Sequence, residues 1–374
     1  MKTKSLNKIL IIFFSVMILN ACATNNLKAT YDIKQDTKYD AVYLKVSIED
    51  FMEQGFSFGD SCNVVFSNGL TYEDIPFFSG YYVRTAMPLI VGYPGYEYIA
   101  VTRNNQGLWT DAGLSENDTV VVTLNKAGKY LNEQEALSQS YSNDKSEYRD
   151  DVQFVNFRAL NGGKLKENFL YRGASPVDNQ KNRAESADAL LRKNGIHFIL
   201  DLADSEKEFL DYQNKSDFSS VYSAGLYDEG KAALLGMSSS YGSEIYKKKL
   251  AAGLKKMITA EGPVYIHCLE GKDRTGFVCF ILEALAGATY IQMQKDYMTT
   301  YENYYGISEE NNAEKYNAIV SLYFNAFASY LHGTEDISVL ALADYSKDAE
   351  KYLLEGGMTT EEISDLKKMI TVKE

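Results

Sequence analysis

The chain has 374 residues and a formal net charge of −13, with 51 acidic against 38 basic side chains. A surface of that sign repels a phosphate backbone, which argues against nucleic acid as a partner, and the length is enough for two folded domains. Four cysteines are too few for a disulfide framework in a chain of this size.

At the N-terminus, Lys2, Lys4 and Lys8 precede an apolar run from Ile9 to Leu19 that is too short to span a bilayer. It ends in Leu19-Asn20-Ala21-Cys22, a small residue before a cysteine, which resembles the lipobox of bacterial lipoproteins. The resemblance implies that residues 1–21 are a signal peptide and that Cys22 becomes a lipid-bearing N-terminus. The protein would then be extracytoplasmic, held on the bacterial cell membrane by that lipid alone, or secreted if the lipobox is not used. Losing residues 1–21 removes three lysines and no acid, so the net charge moves from −13 to −16 and the body stands off from an anionic membrane. Residues 22–37 are polar with no sustained hydrophobic period, and are expected to form a tether.

From 38 to 130 the pattern is β. Short β-branched or aromatic runs at 41–46, 62–66, 81–83, 98–101 and 119–124 are separated by Gly, Asn and Asp clusters, which predicts a small barrel or sandwich. Residues 131–150, rich in Ser, Asn, Asp, Gln and Glu, read as a polar linker, with Tyr141 and Tyr148 able to pin it to the surface. From 151 to 374 helical and strand signals alternate, which predicts an α/β domain built on a mainly parallel sheet flanked by helices. Asp178 is a candidate cap for a helix reaching Lys193, a strand is expected over 196–202, and Ser243 opens a helix to Ile258. Capping boxes start at Thr289 and Thr359.

The stretch His267-Cys268-Leu269-Glu270-Gly271-Lys272-Asp273-Arg274-Thr275-Gly276 lies between the apolar strand Pro263-Val264-Tyr265-Ile266 and a long apolar helix that stops at Gly287. A loop at a helix N-terminus gathers unpaired N–H groups and the positive end of the helix dipole, an anion site. Only a thiolate attacks, so a nucleophile at Cys268 wants cationic neighbours, and His267 and Arg274 are placed to help. The Arg274 guanidinium can fork across two phosphoryl oxygens, and the Thr275 hydroxyl can hydrogen-bond the sulfur as it leaves phosphorus. Gly271 lets the backbone bend around the phosphate, and Gly276 allows close packing of helix on strand. A buried structural cysteine beside a chance arginine is the plainer alternative. The adjacent His, Gly, Thr and Gly argue against it.

The run HCLEGKDRTG resembles the signature of the cysteine-dependent protein tyrosine phosphatases, and its second half is similar to a bacterial branch acting on phosphotyrosine, phosphoserine/threonine and phosphoinositides. Asn156-Phe157-Arg158-Ala159-Leu160-Asn161-Gly162-Gly163, Leu170-Tyr171-Arg172-Gly173-Ala174 and Ile199-Leu200-Asp201-Leu202 are similar to other elements of that branch. The resemblance implies hydrolysis of a phosphate monoester through a phosphocysteine on Cys268. Leu269, Glu270, Gly271, Lys272 and Gly276 would line the substrate loop, and Arg158 and Arg172 would bind substrate or anchor the fold. The branch usually has a small residue at Glu270 and an arginine at Ala203. A carboxylate at the mouth disfavours substrates with several phosphates, an effect that Lys272 partly offsets.

Two aspartates compete as general acid. Bacterial members with this loop imply Asp273, whereas Asp228, in Gly225-Leu226-Tyr227-Asp228-Glu229-Gly230, has the spacing of an acid on a mobile loop. The expected partner is a phosphorylated protein or peptide, with a phosphoinositide or inositol phosphate as the alternative. No metal or other cofactor is called for where a thiolate supplies the nucleophile. His197 and His332 have no metal-ligand spacing and are expected to be structural. Outside this class stand a non-catalytic surface-binding lipoprotein and a rhodanese-like sulfurtransferase.

Overall fold

Seven short strands close on themselves in the first third of the chain: β1 (Lys28–Asp36), β2 (Ala41–Leu44), β3 (Ser61–Phe66), β4 (Thr71–Phe78), β5 (Pro88–Val91), β6 (Ala100–Arg103) and β7 (Thr119–Lys126). The computed structural model describes residues 27–37, 40–84, 86–104 and 106–372. The strands run in the order β1-β2-β6-β5-β4-β3-β7 with β1 pairing β7, a closed barrel whose neighbours are antiparallel except for the parallel pair β4 and β5. Closure removes the edges that would otherwise template pairing with another chain. Its interior is filled by Ile33, Val42, Phe51, Phe77, Ile90 and Val122, all fully buried.

The tether expected over 22–37 is corrected here. Within it, Lys28–Asp36 is a nine-residue strand pairing with both β2 and β7. Tyr31 and Ile33 alternate inward between exposed Thr30 and Asp32, and two apolar residues at period two are a weak signal against a polar background. The signal peptide expected over residues 1–21 and the lipidation expected at Cys22 lie outside the described residues. The expected strand at 81–83 is instead loop. The strand is the preceding Thr71–Phe78, whose outer half is polar. The linker 131–150 also carries structure, a helix at Leu131–Leu137 and a single 3₁₀ turn at Lys145–Glu147.

The second sheet comprises β8 (Arg158–Ala159), β9 (Leu170–Gly173), β10 (Phe198–Asp201), β11 (Ala232–Leu234) and β12 (Val264–His267), in the order β11-β10-β12-β9-β8. Every pairing is parallel except β8 with β9. Strand β12 lies in the middle, and register places Asp201 and Gly173 on either side of His267 at its C-terminal end. The loops that leave those three positions therefore converge at one point on the sheet edge, where parallel sheets hold their ligands.

Helices cover both faces. The one after β12, Asp273–Leu285, is buried on all sides from Thr275 onward, which explains its continuous apolar sequence. Ser243 caps Glu244–Met257, and capping boxes at Thr289 and Thr359 open Tyr290–Tyr305 and Thr360–Ile370, as the sequence indicates. Asp178 does not cap its helix, which runs Ala184–Lys193 behind Arg183. Asp178 is instead buried, accepting from Tyr212 Oη at 3.2 Å. Among the described residues no helix is long and apolar enough to cross a membrane.

Candidate active site

Cys268 follows β12 directly and is 4% exposed, at the floor of a loop that ends where Asp273 begins its helix. The loop is held from below by backbone bonds: Ser175 N–H donates to the Leu269 carbonyl at 3.1 Å and Leu202 N–H to the His267 carbonyl at 2.9 Å. Gly271 has φ +66°, and a Cβ there would lie 2.2 Å from the Gly173 carbonyl oxygen, so no other residue fits the bend. Its carbonyl accepts from Arg172 Nη2 at 2.7 Å and from Asn156 Nδ2 at 3.3 Å. Asn156 itself sits at φ +55°, a conformation that Asn adopts more readily than other side chains.

Of the two roles that the sequence leaves open for Arg158 and Arg172, binding substrate or anchoring the fold, that cradle favours the second. Arg172 is fully buried and gives Nη1 to Asp296 Oδ2 at 2.5 Å. Arg158 gives Nε to Asp296 Oδ1 at 2.7 Å and bonds Asn156 and Thr300. The Arg172 guanidinium, without exposed surface, cannot meet a phosphate from solvent, and the Arg158 guanidinium, 14% exposed, is taken up by Asp296, Asn156 and Thr300. Burial alone would push the Asp296 carboxyl up, but the two arginines outweigh it and hold the group below the ordinary carboxylate value. Asp296 is the key residue the sequence did not reveal. It lies on a helix far from both arginines in the chain, and only its position seven residues after the Thr289 cap marked it as helical.

Arg274 is half-buried and directs Nη1 to the Met237 carbonyl at 3.0 Å, tying the candidate loop to the segment after β11. Asp273 stands at the helix start with its side chain 56% exposed. The Lys272 ammonium lies 3.7 Å from Glu270, 3.9 Å from Asp273 and 3.4 Å from Tyr305 Oη. Burial works against its charge, yet Asp273, Tyr305 and Glu270 outweigh burial and raise its pKa, so it remains an ammonium. Thr275 Oγ1 is buried without a hydrogen-bond partner among the described residues, beside the thiol-bearing loop.

Glu270 is less of an open negative charge than its sequence position indicates. The Tyr141 hydroxyl donates to its carboxylate, Lys181 lies 3.9 Å away, and Tyr304 Oη donates to the Glu270 carbonyl at 2.8 Å. Tyr141 stacks on Tyr304 with centroids 4.8 Å apart, under the buried Arg183 guanidinium at 4.9 Å. The linker is thus pinned onto the loop through Tyr141, and Tyr148 joins it by donating to the Ser142 carbonyl at 2.6 Å.

His267 is fully buried, with Nε2 3.4 Å from Tyr227 Oη and 3.7 Å from Asp201 Oδ2. Burial pushes its pKa down to about 4 against the opposing pull of Asp204. The expectation that it supplies positive charge to the thiol is therefore corrected: near neutrality the ring is uncharged and acts by packing and orientation. Asp201 accepts from the N–H groups of Ala203 at 2.9 Å and Asp204 at 3.0 Å and from Tyr227 Oη at 3.0 Å. Burial raises the pKa of both carboxyls, and the Asp201 charge adds to the rise at Asp204.

Asp228 is exposed and is the last residue of the helix Val221–Asp228, so the swinging loop expected around it is a helix end. The inward residue of that turn is Tyr227. Gly276 also differs from expectation: a Cβ there would meet the Tyr297 ring at 2.8 Å, so the close approach is of helix to helix, not helix to strand. Cys62 and Cys279 are free and buried, and burial pushes both thiols up to about 12, consistent with inert core residues. His332 Nδ1 lies 2.6 Å from Asp348 on a surface helix pair.

Residues 152–372 match the model of the tyrosine phosphatase family. Comparison with curated proteins finds no match.

Proposed function

The chain belongs to the tyrosine phosphatase family, and from that membership we propose that it hydrolyses phosphotyrosine in proteins or peptides through a phosphocysteine on Cys268. The observation that carries this reading is the loop itself: a buried cysteine at a helix N-terminus, a glycine bend fixed by Arg172 and Asn156, and Arg274 at the rim. The Cys268 thiolate attacks phosphorus while the ester oxygen departs, taking a proton from the Asp273 carboxyl. Arg274 and the N–H groups of the loop and first helical turn hold the phosphoryl oxygens. Water then attacks phosphorus, gives its proton to the Asp273 carboxylate, and the S–P bond breaks to return the thiolate and inorganic phosphate. Thr275, with its hydroxyl uncommitted, donates to the sulfur as it leaves.

Asp273 is favoured over Asp228 because it follows the loop directly, beside Arg274, with its side chain 56% exposed, whereas Asp228 is the outward end of the helix Val221–Asp228. Attachment of the chain by lipid at Cys22, on the outer side of a bacterial membrane, belongs to the same proposal. Cys268→Ser tests the nucleophile. Turnover of an aryl phosphate should vanish while binding of a phosphate analogue persists, because the cradle survives and a hydroxyl is far less nucleophilic. Retained turnover removes the reading.

A further inference from the structure

The barrel meets the catalytic domain at Ser321 and Glu335, and the two line a cavity of about 510 Å³. Tyr81, Arg84 and Asn104 form the barrel wall, and Tyr241, Tyr323 and Tyr330 the opposite one. Arg84 crosses the junction to Glu335 at 3.1 Å. Two rings of the catalytic wall connect the cavity to the loop through one intervening side chain each. Tyr323 stacks on Tyr301 at 6.4 Å, and the Lys272 ammonium lies 6.0 Å from that same Tyr301 ring. Tyr241 stacks on Phe277 of the loop helix at 4.5 Å and lies four residues beyond Met237, whose carbonyl holds Arg274. The outer end continues into a second cavity of about 580 Å³ that shares Tyr81 and Asn104 and runs over Tyr93, Tyr96 and Arg103 of the barrel.

We propose that this trough binds the polypeptide flanking a phosphotyrosine, so that the barrel is the substrate-reading domain. The inference rests on the phosphatase reading and names its substrate class. Tyrosine rings and a side-chain amide suit a chain of mixed side chains with backbone donors and acceptors. A ligand bearing several phosphates would need free cations here, and both arginines are already paired, Arg84 with Glu335 and Arg103 with Asp111 at 2.6 Å. The two cavities share Tyr81 and Asn104 and together far exceed the space a single phosphorylated side chain fills.

The test measures binding to the full chain carrying Cys268→Ser, so that recognition is read apart from turnover. An extended phosphotyrosyl peptide is compared with phosphotyrosine amide, each with and without Tyr93→Ala or Tyr330→Ala. Tyr93 and Tyr330 are 43% and 39% exposed; Tyr330 also packs on Phe277 and Tyr352 of the core, so the stability of each variant is measured alongside its binding and Tyr93→Ala is the decisive one. The extended peptide should bind at least about tenfold tighter than the amide, and either substitution should remove about tenfold of its affinity, the loss of one good aromatic contact. The amide should be unaffected. Equal affinity for peptide and amide, or variants that weaken vesicles carrying a phosphoinositide but not the peptide, would overturn the proposal. Tyr93-dependent peptide binding in a chain whose unsubstituted form cleaves no phosphate ester would instead overturn the phosphatase reading and leave the trough standing.

Discussion

Asp296→Ala strikes the support of the catalytic loop without touching the loop. Asp296 is 9% exposed and accepts from Arg158 Nε at 2.7 Å and Arg172 Nη1 at 2.5 Å. Removing one partner of a buried ion pair costs about 3–5 kcal/mol, because the remaining charge is left desolvated. Arg158 would keep the Asp296 backbone carbonyl, Asn156 and Thr300, so much of its environment survives. Among the described residues Arg172 would keep the Gly271 carbonyl as its hydrogen-bond partner and the buried Glu283 carboxyl as its nearby acid, too little to replace Asp296, so its fully buried charge must shift or draw in water and take the Gly271 bend with it. The expected outcome is a loss of about 3 kcal/mol in the catalytic domain together with a fall in kcat on an aryl phosphate. The sole tryptophan, Trp109, lies in the barrel core, so its fluorescence reports the wrong domain. Near-ultraviolet circular dichroism of the tyrosines during urea unfolding is the suitable assay. A loss under about 1 kcal/mol with unchanged kinetics would refute the argument, since a surface ion pair contributes no more than that.

Four further outcomes follow from the same geometry. Asp273→Asn should slow alkyl phosphates far more than an activated aryl phosphate and remove the high-pH arm of kcat, with Asp228→Asn comparatively mild; the reverse pattern assigns the acid to Asp228. His267 has a folded pKa near 4 against an ordinary value of 6.5, so the stability tied to its neutral form is present above pH 6.5 and lost as pH falls toward 4, roughly 3 kcal/mol in all. The raised carboxyls Asp201 and Asp204 act in the opposite direction, so this loss is read as the difference between the stability curves of the native chain and His267→Gln, and parallel curves would contradict it. Gly271→Ala should abolish turnover and destabilise the catalytic domain by at least about 2 kcal/mol, because it sets a methyl on the Gly173 carbonyl at φ +66°; near-normal kcat would show that the bend is not needed. Cys22→Ala should release the protein from the membrane fraction, and a native chain already wholly soluble on fractionation would contradict the anchor.

The candidate loop was legible because its pattern is local. Cysteine, glycine bend and arginine fall within one turn of chain between a β-branched run and an apolar helix, and caps at Ser243, Thr289 and Thr359 work over three residues. What supports the loop was not legible, because it is brought together by the sheet. Arg172 reaches Asp296 across 124 positions and Gly271 across 99, and nothing in linear spacing separates that anchoring role from substrate contact. The neutral state of His267 depends on burial between β9 and β10, which its sequence neighbours do not record. Strand β1 escaped because its inward face offers only two large apolar residues, Tyr31 and Ile33, beside the small Ala29, with the barrel's closure supplying the rest of its stabilisation. Asp228 misled for a related reason: glycines at 225 and 230 look like a loop, but Gly225 lies inside the helix and only Gly230, at φ +72°, turns the chain.

The central claim is that phosphorus is transferred to Cys268. The most direct measurement is acid quenching of the full chain during turnover of a phosphotyrosyl peptide, followed by mass mapping of the peptide that contains residue 268, with Asp273→Asn used to slow breakdown of the intermediate. A single phosphoryl group on Cys268, absent from the Cys268→Ser chain, is the expected result. Steady hydrolysis with no phosphoryl group on that cysteine, or with undiminished rate in Cys268→Ser, would contradict it.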